Sequence, residues 1–170
     1  MYLFAFAVSK TEQKEIKLEI QLPQGGFPKS MYFNRFRIER EDGFCIVQFG
    51  LITASGLLDS CTCVFTQEAL EDNRAALLDY LNRIGRPAEK TPVLWKGPAL
   101  ERQTEVADII TMSFRKGMAE IGLYSFSQFA ATKSAQKGSS GMQGIIGQAM
   151  VLLRCTAETQ KQLIVALYEE

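Results

Sequence analysis

The chain of 170 residues contains no histidine. That absence removes the usual Ser–His and Cys–His nucleophile pairs and the commonest metal ligand. Net charge is missing as well, since 19 basic residues are matched by 19 acidic ones. Attraction of the whole molecule to nucleic acid or to an anionic membrane is therefore not expected. No stretch approaches the ~20 apolar residues of a membrane helix. The apolar start Met1–Val8 lacks a basic leader and is too short to be read as a signal peptide. Cysteine is scarce, with four residues at 45, 61, 63 and 155. Three of the four lie in apolar strand contexts, where buried free thiols are common, and without an export signal a reduced, cytoplasmic setting is expected. Proline is confined to Pro23 and Pro28, and to Pro87, Pro92 and Pro98.

What is present is an ordinary composition, 46% hydrophobic and 22% charged, long enough for one sizeable core or two small ones sharing an interface. The pattern occurs twice. Asp42-Gly43 sits between two strand-like runs, and Lys116-Gly117 occupies the equivalent place 74 positions later. The junction Phe65-Thr66-Gln67-Glu68 recurs as Cys155-Thr156-Ala157-Glu158, 90 positions later. The difference corresponds to an insertion in the second copy.

Residues 2–8 read as a buried strand. Ile16, Leu18, Ile20 and Leu22 alternate with Lys17, Glu19 and Gln21, the period of a strand with one dry face. Together they predict an N-terminal hairpin. After the breakers Pro23, Gly25, Gly26 and Pro28, the first copy reads as a strand from Met31 to about Arg40, a glycine turn, a strand from Phe44 to Ile52 and a strand from Leu57 to Phe65. Thr66 is a good N-cap, and Leu70, Leu77, Leu81 and Ile84 form an apolar helical stripe ended by Gly85 and Pro87. Residues 86–104 read as a linker in which Val93, Leu94 and Trp95 pack onto the body. The second copy reads as strands 106–114, 118–129 and 145–154, then a helix opened by Thr156 with Leu163, Ile164, Leu167 and Tyr168 on its apolar side.

This predicts an α+β fold of two tandem antiparallel sheet-plus-helix units in a pseudo-two-fold arrangement, residues 1–85 and 105–170. Val47 is expected to correspond to Ile121, Phe49 to Leu123 and Leu77 to Leu167. The stretches Asn34–Arg40, Phe44–Gly50 and Val64-Phe65-Thr66 resemble a small bacterial and archaeal domain family of unknown function. In that family an aromatic strand hairpin ending near a Phe-Gly pair is followed by a strand and a capped helix. The resemblance implies no activity.

Four constellations bear on chemistry. Cys61-Thr62-Cys63 puts two thiols on one face of a strand, but no second close-spaced cysteine pair exists to complete a zinc site, so no metal is expected. Ser113-Phe114-Arg115-Lys116 matches Ser-x-x-Lys, yet in a strand residues three apart point to opposite faces, so a catalytic pairing is not expected. The stretch Lys133–Gly141, with Lys137, Gly138 and Gly141, has glycines and lysines that suit a phosphate cradle. A strand rather than a helix follows it, so it reads as a mobile loop. A fourth constellation interleaves Lys29, Arg35, Arg37 and Arg40 with Tyr32, Phe33 and Phe36. Sheets that bind single-stranded nucleic acid use such residues, although aromatic strands more often form core.

The expectation is a non-catalytic protein that binds another macromolecule or self-assembles, without a cofactor and away from the membrane. Single-stranded nucleic-acid binding is the first alternative, and a small-molecule pocket between the units is the second.

Overall fold

The computed structural model describes residues 3–5, 18–21, 26–89, 104–126 and 144–169. The elements among them are β1 (Leu3–Ala5), β2 (Leu18–Gln21), β3 (Lys29–Tyr32), β4 (Arg35–Glu41), β5 (Phe44–Thr53), β6 (Gly56–Thr66), α1 (Gln67–Ile84), β7 (Thr104–Val106), β8 (Ile109–Arg115), β9 (Met118–Phe126), β10 (Gly144–Cys155) and α2 (Ala157–Tyr168). The fold is α+β, with an N-terminal hairpin in which β1 pairs antiparallel with β2. The linker reading at 90–103, including Val93, Leu94 and Trp95, lies outside the described residues. So do most of the 130–144 loop and its Lys133, Lys137, Gly138 and Gly141.

Each antiparallel meander forms for a local reason. The hairpins β4–β5 and β8–β9 close through two-residue turns in which both residues have positive φ. These are Asp42 at 39° with Gly43 at 86°, and Lys116 at 51° with Gly117 at 80°. A turn of this hand matches the right-handed twist of the flanking strands. The helices start where a threonine hydroxyl takes over a free amide. Thr66 accepts from the Ala69 N–H at 3.0 Å, and Thr156 accepts from the Thr159 N–H at 3.1 Å.

The strand expected to run unbroken from Met31 to Arg40 is in fact two strands, and so is the one expected from Val106 to Phe114. β3 runs parallel to β10, pairing Met31 with Leu153 and Tyr32 with Arg154. The Phe33 N–H then donates to the Arg154 carbonyl at 2.9 Å, while the next amide, Asn34, donates to the Gly50 carbonyl at 3.1 Å. In one residue the chain passes from the second sheet to the first. The reverse passage occurs 74 positions later. β7 runs parallel to β6, the Ala107 N–H donates to the Val64 carbonyl at 3.0 Å, and the Asp108 N–H donates to the Tyr124 carbonyl at 2.9 Å. The cause is a slip in alternation. Met31 and Phe33 are buried, and then the inward positions shift to Phe36 and Ile38.

One sheet is therefore ordered β4-β5-β6-β7, and the other β1-β2-β10-β9-β8 with β3 also beside β10. The boundary between the sheets does not follow the linker in sequence. The helices cross over as well: α1 packs on β6 and on β8, and α2 packs on β9 and on β4. Among the described residues the main apolar core draws on both sheets and both helices, with Val47, Phe49, Cys63, Leu77, Ile121, Leu123, Leu153 and Leu167 all inside it. Ile84, expected on the apolar stripe of α1, is only half-buried.

Buried polar side chains lock the crossing. Asn73 on α1 accepts from the Ile110 N–H at 3.0 Å and donates to the Asp108 carbonyl at 2.9 Å, covering backbone groups at the start of β8. Gln160 on α2 donates to the Glu120 carbonyl at 3.2 Å and accepts from the Tyr80 hydroxyl at 3.1 Å. The Tyr168 hydroxyl donates to the Leu70 carbonyl at 3.0 Å.

Leu77 and Leu167 are 3% and 5% exposed on helices that face the shared core. Each truncated to alanine should cost about 2–5 kcal/mol in denaturant melts, the range for buried leucine. Because the core is shared, the loss should appear as a shift of one transition. Two separate transitions, or losses under about 1 kcal/mol for both, would contradict the shared core.

Candidate functional site

With the helices on the inner faces, function is left to the outer faces of the sheets, and these differ at equivalent positions. On the first sheet the cross-strand row Glu39–Ile46–Val64–Val106 runs over β4, β5, β6 and β7. Its last three members are apolar, Val106 is 51% exposed, and Phe44, two residues from Ile46, is 49% exposed. On the second sheet the corresponding row is Ser113–Glu120–Arg154–Tyr32. There Arg154 Nε donates to Glu120 Oε1 at 3.1 Å, and the guanidinium carbon lies 5.9 Å from the centre of the Tyr32 ring, within cation–π range. Tyr32 is 51% exposed.

Beside that polar row lies a groove of about 430 Å³ lined by Phe27, Ser30, Thr111, Arg115, Tyr124 and Arg154, among others. Its floor depends on Gly122. A Cβ there would lie 2.6 Å from Thr111 Oγ1 and 2.8 Å from Phe27 Cζ, so no other residue lets the Phe27 ring settle this close to the sheet. Phe27 in turn packs on Tyr124, with ring centres 5.1 Å apart. In the first sheet the position of Gly122 is taken by Gln48, which is buried with its Oε1 unpartnered, as is the neighbouring Ser60 Oγ.

The basic and aromatic residues singled out in the sequence do not assemble into one surface. Phe33 and Phe36 are core, 2% and 0% exposed, and Phe33 meets Phe49 edge-on at 4.9 Å. Neither ring has a face to offer a base, which corrects their assignment as stacking residues. Arg40 is spent on structure: its Nη2 donates to the Ala166 and Leu167 carbonyls at 3.0 Å each, neutralising the negative end of α2. Arg37 pairs with Glu39, and Arg35 donates to the Asn34 carbonyl at 2.9 Å. Lys29 is exposed on β3. Reasoning from the sequence missed Phe27, Arg115, Tyr124 and Arg154, because they lie on four segments that only the crossed topology brings together.

A second cleft, of about 320 Å³, lies between the β4–β5 turn and the helices. Its lining includes Arg40, Glu41, Asp42, Glu71 and Arg74. Its arginines are already engaged, Arg40 with α2 and Arg74 with Glu71 at 3.4 Å, and its lining mixes these charges with Phe44, Leu70, Leu167 and Tyr168. Ser113 lies exposed on β8 while Lys116 occupies the turn beyond it. Cys61 and Cys63 face the core with their sulfurs 3.7 Å apart. No group of three metal-ligating side chains occurs among the described residues, and no described helix is long and apolar enough to cross a membrane. No family model matches the chain, and no curated protein matches it in sequence.

All four thiols are buried. Burial pushes Cys155 up to about 12. It also raises Cys45 and Tyr168, and a hydrogen bond to Cys61 together with burial raises Cys63 well above the usual thiol value. The linkage has a definite sign. The unfolded thiol ionises near ~8.5 and the folded one only near 12, so the unfolded chain sheds a proton first. The stability from the neutral thiol is complete below the unfolded value and is lost as pH rises toward the folded one. Denaturant midpoints should therefore fall above about pH 9, and Cys155→Ala should flatten the fall by up to ~1.4 kcal/mol per pH unit. A wild-type profile that stays level into the alkaline range would show that the thiol is not shielded.

Proposed function

We propose that this chain is a non-catalytic assembly protein, the single-chain counterpart of a strand-exchanged pair, and that the outer face of its first sheet binds a second copy. The observation that carries the reading is the apolar row Ile46–Val64–Val106 with Phe44 beside it, in which Val106 is 51% and Phe44 49% exposed. Exposed apolar side chains in a contiguous patch favour a protein contact. Of the two equivalent rows only this one is apolar, so its best match on another copy is itself, the condition for an isologous two-fold contact. The equivalence of the backbone passages at Phe33 and Ala107 supports reading the two copies as fused halves of such a pair. The reading places the protein among binding modules rather than enzymes, in keeping with thiols that are buried and a serine and lysine that stand in a strand and a turn.

Sedimentation velocity over a concentration series should show a reversible monomer–dimer equilibrium. Val106→Glu, a change at an exposed position, should leave the melting temperature in place while weakening the dimer at least about tenfold, since burying an unpaired charge costs more than ~1.4 kcal/mol. A monomer at every attainable concentration would rule the reading out.

A further inference from the structure

We propose that the outer face of the second sheet binds single-stranded nucleic acid, with Tyr32, in the polar row beside the groove, as the base-stacking platform and with Arg154 and Arg115, which line the groove, as the phosphate contacts. This site is separate from the apolar row and does not rest on self-association.

The chemistry of the groove selects the ligand. Arg154 is fixed by a single bond from its Nε to Glu120 at 3.1 Å, and its two terminal Nη groups have no partner among the described residues. They form the half of the guanidinium fork that donates to phosphate oxygens. Its plane lies over Tyr32, 5.9 Å from the ring centre, which holds that ring in place although it is 51% exposed. An exposed aromatic ring held by a cation on an open sheet is the arrangement on which unpaired bases stack. Arg115 is exposed at the end of β8 and also lines the groove. Among the described residues the charged lining side chains are Arg115, Arg154 and Glu120, a local excess of one positive charge on a chain of zero net charge. Ser30, Thr111 and Ser113 add hydroxyls suited to sugar and phosphate oxygens. A duplex hides its base faces in the stack, so Tyr32 has no use there, whereas a single strand presents them. With two phosphate contacts and no long-range attraction, binding is local and only moderately sensitive to salt.

The test is fluorescence anisotropy of the full chain with a labelled single-stranded oligonucleotide of mixed sequence, at low and moderate salt. Saturable binding is expected, with a log K against log salt slope of about −1.4 for two contacts. Tyr32→Ala should weaken it about 5- to 150-fold, the cost of one lost stack. Arg115→Ala should shallow the slope by about 0.7. Arg154→Lys keeps the charge and removes the fork, so affinity should fall while the slope stays. Tyr32 is exposed, so Tyr32→Ala should melt with the wild type, and Tyr32→Leu gives a second variant that keeps apolar bulk without the ring. Val106→Glu on the other sheet should bind as the wild type does, which separates this outcome from any loss of self-association. A flat titration at low salt would overturn the proposal. So would affinity unchanged in both Tyr32 variants, or equally tight binding of a duplex of the same sequence.

Discussion

Two backbone hydrogen bonds, from Phe33 to Arg154 and from Ala107 to Val64, decide how the rest of the molecule must be built. Each ends a short parallel strand in one sheet, and the very next amide begins an antiparallel strand in the other. A chain that crosses in this way cannot separate its two sheets without giving up both pairings, and with them the burial of Met31, Phe33 and Ala107. The crossing also dictates where the helices go. A helix that follows β6 reaches β8, and a helix that follows β10 reaches β4. The shared core follows from this connectivity rather than from any special affinity between the helices.

Edges and helix ends created by that connectivity are satisfied with side chains from the opposite copy. Asn73 covers backbone groups of β8 that would otherwise lie buried and unpaired, a deficit of about 1–3 kcal/mol per group. Arg40, at the end of β4, supplies the positive charge that the C-terminus of α2 lacks, since no basic residue lies in that helix's last turn. Tyr168 and Gln160 complete the set across the helix pair. Asn73, Arg40 and Tyr168 are thus addressed to specific backbone atoms far away in the sequence. They make the crossed arrangement more favourable than two independent units, because uncrossed units would leave every one of these groups without its partner.

Much of this architecture was legible in the sequence, and the part that was not has a definite cause. The turns at Asp42-Gly43 and Lys116-Gly117, the caps at Thr66 and Thr156, and the inward alternation of Val47, Phe49, Ile121 and Leu123 are local signals, and local signals act over a few residues. The crossings have no proline or glycine to mark them. Their trace is the change of phase between Met31-x-Phe33 and Phe36-x-Ile38, which is easily absorbed into one long aromatic strand. The same reading misled the choice of site. Phe33 and Phe36 belong to opposite phases, yet both are inward because the chain changes sheets between them. Tyr32 is left as the outward ring of that run, and its companion Arg154 is 122 positions away in sequence. A surface assembled across β3, β9 and β10 has no spacing to detect.

The outer faces show what a shared core leaves free. The inner positions of both copies must fill one core, so each keeps large apolar or thiol side chains: Cys61 against Val151, Cys63 against Leu153, Phe65 against Cys155. Outer positions carry no such requirement, and there the copies part. Ile46, Val64 and Val106 stand where Glu120, Arg154 and Tyr32 stand in the other sheet. The divergence extends to the backbone's nearest neighbours, since Gly122 admits the Phe27 ring where Gln48 places a polar side chain. The chain thus holds an apolar row on one sheet and a polar, aromatic row on the other across a shared core, and these are the two surfaces that the proposed contacts use.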